Sequence, residues 1–97
     1  MQVKISIYNN KTKALVSPSS KVGDVFYRQI ESMLAKQDYE GEWIPRYCET
    51  VLHDADGDGT FICEVDGAEI DAEVIAQDIC EKFEGRKRHS VSCDIED

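Results

Sequence analysis

A single α+β domain, with two helices on one face of an antiparallel sheet, is the fold this chain predicts. Three observations lead there. Val3, Ile5 and Ile7 alternate with polar residues at the start, Val91, Cys93 and Ile95 do the same at the end, and two stretches between them carry apolar residues at helical spacing. A length of 97 residues suits one core and hence one compact domain over 1–97.

In chain order, the alternation of Val3, Ile5 and Ile7 with Gln2, Lys4 and Ser6 predicts a strand with one buried face. Asn9-Asn10-Lys11-Thr12 reads as a turn, and Ala14-Leu15-Val16 as a short returning strand before the Ser17-Pro18-Ser19-Ser20 break. Val22, Val25, Phe26, Ile30, Met33 and Leu34 then recur at i, i+3 and i+4 spacing, predicting a helix at about 22–37, with Asp24 near its positive end and Lys36 near its negative end. Trp43 to His53 is apolar and β-favouring, and Pro45 confines its start to an edge or a terminus. After the polar turn Asp54-Ala55-Asp56-Gly57-Asp58-Gly59 comes a second alternating run, Phe61, Cys63 and Val65. Asp66-Gly67 suggests another tight turn. Asp71 is placed to cap a second helix, whose stripe of Ala72, Ile75, Ala76, Ile79, Cys80 and Phe83 ends at Gly85. His89 to Glu96 closes the chain as a strand.

The order β-α-β-β-α-β is that of ferredoxin-like domains, here with a small hairpin added at the first strand. Such a sheet offers its second face to solvent or to a partner. With Phe61, Cys63, Val65, Val91, Cys93 and Ile95 turned to the helices, Ile62, Glu64, Asp66, Ser90, Ser92, Asp94 and Glu96 turn away. RNA-recognition modules of this architecture stack bases on open-face aromatics. Acidic and small residues stand at those positions here, which argues against RNA.

Charge is unevenly placed along the chain. Residues 1–37 carry +4 and residues 38–97 carry −13, for a net charge of −9. Summed charge steers association, so a basic protein surface is the expected partner, and nucleic acid and anionic membrane are disfavoured as direct ligands. No apolar run approaches the roughly 18 residues of a membrane span, and the start lacks the pattern of a signal peptide, so a cytoplasmic protein is expected.

Catalysis and cofactor binding find no pattern to rest on. The four cysteines, Cys48, Cys63, Cys80 and Cys93, form no Cys-x-x-Cys pair, and three of them fall on apolar stripes, which predicts small buried hydrophobes with free thiols. A Ser/His/Asp order, a phosphate-cradling glycine loop and a His-Glu-x-x-His helix are all missing, so no enzyme activity, metal or cofactor is expected. Asp54, Asp56 and Asp58 match positions one, three and five of an EF-hand loop, but the twelfth position is Val65 and the flanks read as strands. An acidic turn is the expectation, with a calcium-responsive module as the alternative.

The acidic residues themselves form the candidate site. Glu73, Gln77, Glu81 and Glu84 share one stripe of the second helix with Asp78 beside it, and Glu64, Asp66, Asp94 and Glu96 occupy the open sheet face. A partner built to track phosphates could accept these carboxylates instead. Trp43, in the exposed-looking run Tyr39-Glu40-Gly41-Glu42-Trp43, is a further candidate contact because Trp and Tyr are favoured at interface hot spots.

In size, compactness and acidity, over the whole chain, the protein resembles the small phage-encoded anti-CRISPR inhibitors that act as DNA mimics. No specific motif carries the resemblance. It implies an inhibitor that occupies the DNA-binding subunit of a CRISPR-Cas surveillance complex in the bacterial host cytoplasm and blocks target DNA. A small structural or regulatory subunit that assembles through the sheet edge is the remaining alternative.

Overall fold

A computed structural model describes residues 1–35, 50–53 and 59–96 in full, together with the backbone of 37–39, 42–44 and 49. The elements are β1 (Gln2–Asn9), α1 (Lys21–Leu34), β2 (Gln37–Tyr39), β3 (Glu42–Ile44), β4 (Glu49–His53), β5 (Phe61–Asp66), α2 (Glu69–Lys82) and β6 (His89–Glu96). The main sheet is antiparallel in the order β4-β5-β1-β6, the ferredoxin-like arrangement in which the first and third of the four principal strands are central.

Strand pairing sets which side chains share a face. Val3 lies opposite both Cys63 and Ile95, and Ile5 opposite both Phe61 and Cys93, so the apolar positions of three strands form continuous rows. Onto these rows α1 lays Phe26, Ile30 and Met33, and α2 lays Ala72, Ile75, Ala76 and Ile79, with Phe83 just past its end, all in one core. Phe26 and Phe83 close the far end, their ring centroids 5.2 Å apart. Both helices therefore cover the same face, as the alternation predicts.

Beyond Ile5, β1 has no further partner in β5. There the returning segment takes over: Tyr8 bridges Leu15, and the Val16 N–H donates to the Ile7 carbonyl at 2.8 Å. The expected hairpin is thus reduced to one bridge. Its turn is held by the Asn9 side chain, which accepts from the N–H groups of Lys11 (2.9 Å) and Thr12 (3.1 Å).

The helix boundaries depart from expectation: α1 stops at Leu34 rather than near 37, Gln37 already belonging to β2, and Lys36 lies outside the described residues. α1 begins at Lys21 because Ser20 caps it, its hydroxyl accepting from the Gly23 N–H at 3.0 Å. α2 begins at Glu69, three residues before the predicted start, with Ala68 at the cap position. Asp71 is not the cap. It sits in the first turn and reaches back, accepting from the Ala68 N–H at 2.8 Å, which is one half of a capping box. Past Lys82 the chain turns through Gly85, whose φ of 77° suits glycine.

The stretch from Trp43 to His53, predicted as one strand, divides into β3 and β4, and β3 pairs with β2 in a separate two-stranded ladder (Asp38 opposite Trp43). Pro45 lies between the two strands and has no N–H to offer a continuous ladder.

Cys63 is fully buried, whereas Cys80 and Cys93 are only half-buried, and all three are free thiols. Burial, the hydrogen-bonded Cys80 thiol and the nearby Asp94 carboxylate push the Cys93 thiol well above its usual range. Since the thiolate is the reactive form, alkylation of native Cys93 should stay slow at pH 8 despite its partial exposure. Peptide mapping after a timed maleimide pulse checks this: Cys63 and Cys93 should label only on adding denaturant. Immediate labelling of Cys93 would contradict the placement.

Candidate protein-binding surface

The open face of the sheet is built by the same register that builds the core. Gln2 lies opposite both Glu64 and Glu96, and Lys4 opposite both Ile62 and Asp94. Residues two apart on a strand stand roughly 7 Å apart on one face, and positions two strands apart roughly 10 Å. Glu64 on one side and Asp94 and Glu96 on the other thus flank β1, with Asp66 just beyond its start, and all four residues are exposed. On β4, Val51 lies opposite Glu64, and His53 Nε2 comes within 3.4 Å of Glu64 Oε2.

Topology draws further carboxylates to this end of the molecule. β5 ends at Asp66, α2 starts at Glu69, and β6 ends at Glu96 beside the start of β1, so Glu69, Asp71 and Glu73 stand at this same end, on the helix layer behind the sheet. Among the described residues the cations at this end are Lys4, in register beside Asp94, and the N-terminal ammonium, which donates to the Val65 carbonyl at 3.3 Å.

The predicted site residues divide between places. Glu64, Asp66, Asp94 and Glu96 share the open face, and Glu73 is exposed on the first turns of α2. Glu81 lies eight residues further along that helix, roughly 12 Å away. With Glu84 it flanks a groove of about 520 Å³ between α2 and β6, which Gln77, Cys80, Ser90 and Val91 also line. Gln77 Nε2 donates to Glu81 Oε1 at 3.1 Å. Asp78 is half-buried and engaged within the structure. The Trp43 side chain and the whole of Asp54, Asp56 and Asp58 lie outside the described residues.

At the opposite end, where Asp24 and Glu84 also stand, described cations outnumber carboxylates, which linear order conceals. β1 ends, α1 begins and β6 begins there, bringing Lys11, Lys13 and Lys21 together with Arg86, Lys87 and Arg88. Arg86 is tied down, its guanidinium 4.8 Å from the Phe83 ring centroid and donating to Gln29 Oε1 at 3.3 Å. Arg28 pairs with Asp24 at 3.1 Å across one turn of α1.

No cluster of three or more potential metal ligands occurs among the described residues, and none of the described helices is long and apolar enough to cross a membrane. Comparison with protein-family models, with curated proteins and with solved structures finds no match.

Proposed function

We propose that this chain is an acidic protein-binding inhibitor that occupies a basic, nucleic-acid-binding surface of its partner. The observation that carries the reading is the concentration of charge. Glu64, Asp66, Glu69, Asp71, Glu73, Asp94 and Glu96 gather at one end, while six lysines and arginines gather at the other. Charge that served solubility alone could be dispersed. Collected on the end of an open sheet face, with the start of α2 adding carboxylates at the same end of the helix layer, it presents a rigid array that lysines and arginines spaced for phosphates can meet. The partner that the anti-CRISPR resemblance suggests is the DNA-binding subunit of a bacterial defence complex, with the inhibitor standing where target DNA would enter.

A pull-down with the immobilised chain tests this. A DNA-binding protein should be retained at low salt and released by excess duplex DNA, because the two ligands compete for one surface. Retention should drop when Asp94 and Glu96 are replaced by Asn and Gln. A retained partner indifferent to duplex DNA would contradict the reading.

A further inference from the structure

The basic end holds a concave groove of about 390 Å³ lined by Asn9, Lys11, Val22, Lys87, Arg88 and His89. Its size falls in the range of small-molecule sites, roughly 300–1,000 Å³. Three cations from two separate loops face it, and no carboxylate among the described residues lines it, in a protein of net charge −9. Mutual repulsion would spread such cations apart unless the fold or an anion held them.

Here the fold holds their backbone. The Asn10 amide Nδ2 donates to the carbonyls of Lys87 (3.0 Å) and Arg86 (3.3 Å), and the Asn10 backbone N–H donates to the Arg88 carbonyl at 2.9 Å. Its remaining oxygen accepts from the Ser90 hydroxyl. One asparagine thereby locks the 86–88 loop against the turn that carries Lys11. The His89 ring is set in place as well, edge-on to Phe26 with centroids 5.3 Å apart. Val22, at 41% exposure, supplies an apolar wall.

We propose that this groove is an anion site for a phosphate-bearing small molecule. The phosphate sits between Lys11, Lys87 and Arg88, and the less polar part of the ligand lies against Val22. A guanidinium and two ammonium groups match a multiply charged phosphate, with Arg88 able to offer a forked pair of donors. The site is distinct from the acidic end and stands whether or not that end binds a protein.

The test is a titration of the isotopically labelled full chain, followed through its amide resonances. Pyrophosphate, a nucleoside triphosphate and a short single-stranded oligonucleotide are compared at fixed ionic strength. The two small phosphates should give saturable shifts confined to the amides around Lys11, Val22 and 87–90. Combined Lys87→Gln and Arg88→Gln substitution should weaken binding about tenfold or more. Arg28→Gln, at the cation paired with Asp24, should leave it unchanged. Asn10→Ala should weaken binding although the chain keeps all three cations, a loss that charge attraction alone does not predict. Non-saturating shifts, shifts spread over every lysine, or equal effects of the Arg28 and Lys87/Arg88 changes would overturn the site. Binding of the oligonucleotide without the small phosphates would replace it with a nucleic-acid surface.

Discussion

Phe61→Ala should lower the unfolding free energy by about 3–5 kcal/mol, the usual cost of emptying an aromatic site in a core. Phe61 is 1% exposed, sits opposite Ile5 on the central strand pair and has the Tyr27 ring 6.2 Å from its own. It therefore joins both central strands to α1. Domains of this size are stable by about 5–15 kcal/mol, so the variant would lose a large share of its margin. Urea denaturation measures this. The midpoint should fall with little change of slope, and a loss below about 1 kcal/mol would contradict the central placement of Phe61.

Gly23→Ala should also destabilise, although helix propensity alone points the other way. Alanine is favoured over glycine within a helix by about 1 kcal/mol. A methyl group at Gly23, however, would overlap the Ser17 carbonyl oxygen and lie 2.8 Å from that of Pro18, both backbone atoms. The same Ser17 carbonyl accepts from the N–H and hydroxyl of Ser20, so moving it also disturbs the cap of α1. The clash should outweigh the propensity gain, for a net loss of about 1–3 kcal/mol. A melting temperature lower by roughly 4–8 °C per kcal/mol is expected. A rise would show that the 17–20 segment yields without cost.

β1, β5, β6 and both helices were legible in the sequence because each carries its burial pattern within itself. Val3, Ile5 and Ile7 alternate, and Phe26, Ile30 and Met33 recur, whatever surrounds them. The β2–β3 ladder was not legible. Its strands are three residues each, too short for a period of alternation to emerge. The start of α2 was misplaced for a different reason: an aspartate near a helix start serves equally as a cap or as a first-turn acceptor, and only the Ala68 N–H contact distinguishes them.

The acidic site was half legible. Strand alternation puts Glu64, Asp66, Asp94 and Glu96 on the open face, but their convergence across β1 requires the register. Linear order suggested a basic first third and an acidic remainder. In space Arg86, Lys87 and Arg88 leave that remainder and join Lys11 and Lys21, because α2 runs back along the sheet before β6 begins. Among the described residues the groove of Lys11, Lys87 and Arg88 thus lies at one end of the sheet and Glu64, Asp94 and Glu96 at the other.

The most direct test of the central claim is the association rate of the chain with its captured partner at two salt concentrations, for two charge reversals. Asp94→Lys with Glu96→Lys sets like charges against a basic surface, and the rate should fall by about 10- to 1,000-fold, the span of electrostatic steering. It should also lose most of its salt dependence, since exposed charges are screened over a Debye length of about 8 Å at physiological ionic strength. Lys11→Glu with Lys13→Glu, at the far end, should change the rate little. Equal losses from the two reversals, or a rate indifferent to salt for the unmodified chain, would contradict the assignment of the acidic end as the binding surface.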